Sequence, residues 1–516
     1  MMNETEKSEI IQFFTGKHVL ITGGTGFVGK VIVEKLLRSC PDISGVYLLV
    51  REKKGETPHQ RFNNYTKHLV FSRVAKSNPK CFEKLRLIKG DVLEEGLGLD
   101  DDARRELVEN VNVVFHCAAT VKFTLPLKES IEFNVIGTYR LLELGKEMKN
   151  LVSFVHVSTA YSQEIGTITE ERLYPTRHDP LNIIKMTEVL DEPCMELLRP
   201  DLMRGNHSNT YTYTKGLAEV LVSKYENVLP VVIARPAIIL SSKNEPFTGY
   251  TEYKHGPNAV GLGGSYGIIR AMLCSNHNPT CYVPVDYVAN ATIAVAWDRA
   301  EKSRNIPTPF FNIVESETCI HWDKALETAN AWLYEHPYSK MMWYPFGRNH
   351  ENYLSFRIYT IFLHFIPALL IDFLLILFGR KPELFKLYKK ADKGMYEYRH
   401  FTLNPWRFKN DHLKKLHERL SEIDKKEFDF NLWNMDWPAY IRTYAMGLRT
   451  YVGKEPPENI PKTKKLLKKL YILHCFTQIF LAALFAWFLW SFSTPIMEGM
   501  NFVVNSILPI KKNKFH

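Results

Sequence analysis

The chain has 516 residues, 45% of them hydrophobic, and a formal net charge of +10. That length exceeds one ordinary domain, and the apolar content is ample for a sizeable core, which excludes a disordered or low-complexity protein. The basic residues are scattered apart from clusters at 462–469 and 511–514 that flank apolar segments, and no nucleic-acid-binding motif is present, so the charge points to a membrane surface and not to nucleic acid.

Residues 18–22 are an apolar run of strand length that meets Gly23, Gly24, Thr25, Gly26 and Gly29, and Phe27, Val28, Val31, Ile32, Leu36 and Leu37 then recur at helical spacing. That is strand, phosphate-binding turn and helix. Gly23 supplies backbone angles closed to other residues, Gly26 lets main-chain N–H groups approach a pyrophosphate, Gly29 lets the helix pack close to the strand, and the helix N-terminus faces the anion. Residues 45–50 predict a second strand ending at Arg51, with Lys53 and Lys54 nearby. An NAD site places Asp or Glu there to hold the ribose 2′-hydroxyl; cations favour a 2′-phosphate, hence NADPH.

Residues 85–92 read as a third strand that carries Asp91 and Val92 to its C-terminal end. Residues 112–119 read as a fourth, ending in Cys117, Ala118 and Ala119, whose small side chains let a ligand approach. Residues 126–149 have helical periodicity, residues 151–157 are a fifth strand running into Ser158 and Thr159, and residues 230–236 are a sixth. Strands alternating with helices predict an α/β fold, a Rossmann-type doubly wound parallel sheet. Residues 163–209 show no strand and read as a helical excursion or a surface insertion. The Pro/Gly-rich stretch 246–264 reads as loop.

Delivering a proton to the alkoxide formed by hydride transfer needs an acid. A tyrosine with an ordinary pKa near 10 does this poorly, and a neighbouring ammonium that stabilises the phenolate helps. Tyr211 and Lys215 are four residues apart, one helical turn, on a segment that continues with helical periodicity. A second Y-x-x-x-K, Tyr250 and Lys254, lies between Pro246 and Pro257 where no helix is expected, so it is set aside. Thr159, with Ser158 as second choice, is the candidate hydroxyl for the substrate carbonyl.

Five motifs in this order, 22–29, 116–121, 157–161, 211–215 and 235–238, resemble the extended short-chain dehydrogenase/reductase superfamily. With residues 245–249, 283–286 and a C-terminal region at about 356–452, the chain more narrowly resembles the alcohol-forming animal fatty acyl-CoA reductases, over about residues 14–454. That resemblance implies an NADPH-binding Rossmann catalytic domain at 14–300, a connecting segment at 301–355 and a helical C-terminal domain at 356–455. It implies reduction of a long-chain acyl-CoA to a primary alcohol in two hydride transfers through an aldehyde, with release of CoA. Tyr211 is then the proton donor, Lys215 its pKa-lowering partner and ribose anchor, and Thr159 the carbonyl hydrogen-bond donor. The implied cofactor contacts are Thr22, Gly23, Gly24, Thr25, Gly26, Phe27, Val28, Gly29, Arg51, Asp91, Val92, Cys117, Ala118, Ala119, Tyr211, Lys215, Pro236 and Ile238; no metal is implied. The gap between Thr159 and Tyr211 is longer than in many extended relatives. A membrane-bound hydroxysteroid dehydrogenase using one hydride per turnover, or a non-catalytic NADPH-binding scaffold, are the alternatives.

Residues 470–492 carry no charge, and as a helix span about 34 Å, enough to cross a hydrocarbon core of about 30 Å. Lysines precede this segment and aromatics crowd its end, so a C-terminal transmembrane anchor is expected. Residues 358–379 are also apolar but contain His364, Pro367 and Asp372. A central Asp costs roughly 2.5 to 3.5 kcal/mol on insertion scales, which favours a helical hairpin packed on the catalytic part or dipped into the interface over a span. The eight cysteines include no C-x-x-C pair, which fits a reducing compartment. Residues 1–15 lack the apolar core of a signal peptide, so the expected setting is a cytosolic catalytic part at a peroxisomal or endoplasmic reticulum membrane. Lys512 and Lys514 would signal retrieval to the endoplasmic reticulum only if they faced the cytosol, which one crossing prevents. Oligomeric state and acyl preference are left open.

Overall fold

The run His18–Thr22 forms β1, an interior strand of a seven-stranded sheet in the computed structural model, which describes residues 7–53, 55–163, 168–204, 207–303 and 306–507. Beyond Ser491, side chains are described at Glu498 and Met500 alone. Lys54 and the tail cluster at 511–514 lie outside the described residues. The further strands are β2 (Gly45–Val50), β3 (Leu85–Lys89), β4 (Val113–His116), β5 (Ser153–Val157), β6 (Val231–Pro236), β7 (Ile238–Leu240), β8 (Ala271–Leu273), β9 (Tyr282–Pro284), β10 (Phe310–Ile313) and β11 (Arg348–His350). The large sheet runs β3-β2-β1-β4-β5-β6-β10 with every pairing parallel, and β7 with β9 and β8 with β11 form two short parallel pairs. The strand order reverses between β1 and β4, and ligands bind outside the carboxyl ends of strands at such a switch point.

Alternation along the strands builds two cores, because successive side chains leave a strand on opposite faces. Val19 and Ile21 of β1, Val46 and Leu48 of β2, and Val113 and Phe115 of β4 face the helices Phe27–Ser39 and Val285–Glu301. Leu20, Tyr47 and Val114 face the helices Asp101–Asn110, Gly137–Glu147 and Thr210–Ser223. The sheet is doubly wound, as the alternating pattern predicts. Edge strand β10 was not expected: its four residues, Phe-Phe-Asn-Ile, are too short to show a period.

The C-terminal helices continue the first of these cores. Leu413, Leu416, Phe428, Phe430 and Ile441 share it with Val31, Ile32 and Leu36. The motif residue Asp286 accepts from the backbone N–H of Lys243, Asn244 and Glu245 at 2.8–3.0 Å and so holds the following loop against the C-terminal region. There Gly249 and Gly447 approach so closely that a Cβ at Gly447 would lie 1.7 Å from the Gly249 carbonyl oxygen.

The stretch 246–264, expected as loop, is corrected: it is loop through Gly256, and Pro257–Ser265 is a helix. Pro257 suits a first turn, whose N–H needs no partner. Gly261 and Gly263 are there for contact and not for a bend: a Cβ would lie 2.8 Å from Leu448 at the first and 2.6 Å from Ile269 at the second. No helix forms over Tyr250–Lys254, as expected. The strand-free stretch after β5 holds two helices, Pro180–Val189 and Glu192–Leu202. Among the described residues, two helices are long and apolar enough to cross a membrane. One is continuous from Tyr353 to Leu377 with a π turn at Ile361–Phe365; the other, Ile460–Ile507, contains the predicted anchor, whose described side chains are almost all exposed.

Candidate active site

The glycine turn follows β1 as read. Gly23 has φ +69°, and a Cβ there would lie 2.7 Å from the Ala118 nitrogen, so the turn can sit against the end of β4 only as glycine. A Cβ on Gly29 would lie 2.4 Å from the Gly23 carbonyl oxygen, which ties the first helical turn to the loop. The result is a cradle that a side chain would fill, between the β1 turn and Cys117, Ala118 and Ala119, with the N-terminus of the helix Phe27–Ser39 at its floor. It fits a dinucleotide pyrophosphate. Thr22 lies beneath it, fully buried, with its hydroxyl 2.7 Å from His116 Nδ1. Phe27 packs on the rings of Tyr250 and Tyr253; Val28 is half-buried beside it.

Arg51 leaves the end of β2 at the rim of this cradle, paired with Asp91 at 3.1 Å. Val92 is buried behind it, its carbonyl accepting from Arg140. A second cation that the sequence reading missed stands alongside. Arg61, on the helix Pro58–Tyr65, donates to the Arg51 carbonyl at 2.5 Å and to the Thr25 hydroxyl at 3.0 Å. Burial and the charge of Arg51 both lower its pKa, as for two guanidinium groups held close together. No motif marks Arg61; the fold brings it to the turn. From the same helix, Tyr65 donates to the Gly24 carbonyl at 2.8 Å.

Tyr211 and Lys215 stand on the helix Thr210–Ser223, capped by Asn209, whose side chain accepts from the Thr212 N–H. Asn134 docks this helix on the loop after β4: it accepts from the Thr120 N–H and donates to the Thr214 hydroxyl, both at 2.9 Å. Burial raises the Tyr211 phenol to about 12, while its hydrogen bond with Thr159 draws it down. Burial lowers Lys215 to about 8 against the pull of Glu219 and Cys117. The Lys215 ammonium is turned to the end of β5, donating to the Val157 carbonyl at 2.7 Å and lying 3.3 Å from His156 Nε2. Burial, with Lys215 and His116 beside it, holds His156 well below its usual range, so it is neutral and accepts.

Glu219 completes this helix face one further turn on, and sequence reading missed it although the four-residue spacing continues from Tyr211 and Lys215. Its carboxylate takes the Ser158 hydroxyl at 2.5 Å, the Ser162 hydroxyl and Gln163 amide at 2.8 Å, and Arg235 through Nε and a terminal nitrogen at 2.9 and 2.7 Å. Ser158 is thereby committed below the site, and Thr159 is the hydroxyl left against the phenol. Pro236 and Ile238, just beyond, sit at the end of β6 and the start of β7, the first buried and the second half-buried. An aromatic wall closes the far side. The Phe123 ring lies 5.6 Å from Tyr211, 5.2 Å from Phe401 and 6.0 Å from Tyr398, the last two on the C-terminal helix Leu384–Leu403.

A NAD-binding family profile described as male sterility protein matches residues 21–292, and a second, also described as male sterility protein, matches 363–455. The chain is 37% identical to fatty acyl-CoA reductase wat of Drosophila melanogaster over 94% of each chain, and 36% identical to fatty acyl-CoA reductase 1 of Rattus norvegicus over 89% of each. In fold it is similar to the terminal reductase domain of a myxalamid biosynthetic pathway, with a TM-score of 0.55 at 19% identity over 84% of this chain and 91% of that one. The seven parallel strands, the glycine cradle and these relatives agree: the chain belongs to the fatty acyl-CoA reductase family.

Proposed function

We propose that the protein reduces long-chain fatty acyl-CoA to the primary alcohol with NADPH, at a membrane in which residues 470–492 are anchored. The observation that carries this reading is the meeting of Tyr211 and Thr159 beside Lys215 at the carboxyl end of β5, across from a glycine cradle rimmed by two arginines. NADPH, when bound, supplies hydride. Thr159 and Tyr211 orient the thioester carbonyl, and Tyr211 gives its proton to the oxygen as charge develops there. Lys215 holds a ribose hydroxyl and adds positive charge beside the phenol, which favours the phenolate left behind. Phe123, Tyr398 and Phe401 keep water from the reacting carbon and receive the acyl chain. The hemithioacetal so formed loses CoA as its thiol, the hydroxyl proton passing to sulfur as the C–S bond breaks, and the aldehyde, held by the same hydroxyls, would be reduced in a second round with a second NADPH.

The test is a product analysis. Full-length protein in phospholipid vesicles, given a long-chain acyl-CoA and NADPH, is expected to release CoA and form the primary alcohol with two NADPH oxidised per alcohol. A single NADPH per product, or none oxidised with acyl-CoA, overturns the reading. Cofactor choice is tested separately: Arg51→Asp is expected to weaken NADPH by roughly 10- to 100-fold, the range for a charge-assisted hydrogen bond, with a much smaller change for NADH. Titration calorimetry reads both, and equal losses remove the 2′-phosphate assignment.

A further inference from the structure

The apolar helix Tyr353–Leu377 is held to the catalytic part along a single narrow stripe. Phe356, Thr360, His364, Ala368 and Asp372, at strict four-residue spacing, are its buried residues. Beyond Tyr359 the stripe carries the segment's polar groups, Thr360, His364 and Asp372, and each has a partner. His364 Nε2 accepts from the Arg270 N–H at 3.0 Å, and Arg270 donates onward to the Leu363 carbonyl at 2.7 Å. Asp372 accepts from the N–H groups of Glu383, Leu384 and Phe385 at 2.9–3.2 Å and so caps the returning helix Leu384–Leu403. Near its start, Arg357 pairs with Asp392 of that helix through both carboxylate oxygens at 2.8 Å.

From Ile358 to Leu377 most of the remaining surface is exposed hydrocarbon. Phe362, Leu370, Phe373 and Leu377 are 59–65% exposed. The returning helix turns a basic stripe outward. Lys386, Lys389, Lys390 and Lys393 are exposed at i, i+3, i+4 and i+7, opposite the buried Tyr388 and Met395. The same helix then re-enters the catalytic part, where Thr402 donates to the Leu273 carbonyl and Phe401 meets Phe123. The helix packs on the catalytic part at its start, where Phe356 clusters with Ala271 and Leu273, is bonded to Arg270 at its middle, and at its end caps the helix that returns to that part, so its C-terminal end cannot lie on the far side of a bilayer.

We infer that residues 353–403 form a monotopic seat, an apolar helix lying in the plane of the bilayer interface with a basic return helix over anionic headgroups, on the same side as the active site. The occupant of the exposed face is lipid: the apolar stripe and adjacent lysine stripe match acyl boundary and anionic headgroup in turn. Because Tyr398 and Phe401 belong to the return helix, the seat lies directly behind the aromatic wall of the site. This inference does not depend on the chemistry assigned to Tyr211.

The test uses the full chain with Cys194→Ser and Cys475→Ser, inserted in vesicles of phosphatidylcholine with a minor share of phosphatidylserine, catalytic part outward. Single cysteines replace Phe373, Lys390, Leu197 or Leu484, and the parent without an added cysteine gives the background. An environment-sensitive dye at 373 is expected to be blue-shifted, quenched by spin-labelled lipid and shielded from aqueous iodide. At 197, an exposed apolar residue on the helix Glu192–Leu202, iodide is expected to quench freely. A membrane-impermeant maleimide is expected to label Lys390→Cys in intact vesicles. Iodide quenching at 373 equal to that at 197 overturns the seat, and protection of position 390 until detergent is added overturns its in-plane setting in favour of a span. Omitting phosphatidylserine is expected to weaken lipid quenching at 373, and no change overturns the headgroup assignment. The label at 484 reports the anchor separately, so the anchor and the seat can fail independently.

Discussion

Tyr211→Phe is expected to lower kcat for acyl-CoA reduction by roughly 10²- to 10⁴-fold, the usual contribution of a positioned general acid, with NADPH affinity close to that of the parent. The substitution removes one oxygen from a half-buried ring and leaves its contact with Phe123, so the wall and the cofactor cradle stay in place. The phenol is fully protonated at neutral pH, since burial holds it at about 12. It is therefore loaded as a donor, but too weak an acid unless positive charge comes near as the alkoxide forms. Lys215, one helical turn on, is the cation assigned to that task, and its own lowered pKa, about 8, marks how little solvation its charge has in the free site. Tyr250→Phe is the matched control: it removes the other tyrosine of a Y-x-x-x-K pattern, whose hydroxyl donates to Glu252 outside any helix, and kcat is expected to hold. Steady-state rates with a cofactor titration check both; retained turnover in Tyr211→Phe removes the assigned acid.

Much of this site was legible because its signals are local. The glycine turn, the cations after β2 and the Tyr211–Lys215 spacing are each written within a dozen residues, and the strands carrying them are apolar runs that show their period. What was hidden depends on chain partners far apart in sequence. Arg61 reaches the turn only because its helix folds back over Gly24. Phe401 comes from 278 residues away to meet Phe123, the ring against Tyr211, and nothing in a run of aromatic and basic residues at 384–403 announces an active-site wall. Asp372 shows the converse. Read alone, it is an obstacle to membrane contact; in the fold it caps the next helix, and the exposed side of residues 358–377 carries no charge. The sequence of the helix Pro257–Ser265 reads as loop because glycine and proline lower local helix propensity, while the contacts that require glycine there come from Leu448 and Ile269.

Glu219→Ala is expected to be the most destabilising substitution in the catalytic part, by about 3–5 kcal/mol, which is a large share of the 5–15 kcal/mol that ordinarily separates folded from unfolded chains. Glu219 and Arg235 are both fully buried and 2.7 Å apart. Burial pushes the Glu219 carboxyl upward, but Arg235 and the hydroxyls of Ser158 and Ser162 outweigh it and hold the pKa below its usual range. Removing the carboxylate leaves a guanidinium with the carbonyls of Glu170 and Arg172 and the Phe310 ring, none of which carries the opposite charge. It also frees Ser158, Ser162 and Gln163, which fasten the end of β5 to the helix bearing Tyr211 and Lys215. The double variant Glu219→Leu with Arg235→Met is expected to recover part of the loss, because the penalty is mainly that of a buried charge without its counterion. Thermal unfolding of the full chain in detergent checks the pair. Equal destabilisation by the double variant and by the sum of the single ones assigns the cost to packing. A double variant more stable than Glu219→Ala places it in the ion pair, and shows that the catalytic helix is held to its sheet by charge where most such contacts are apolar.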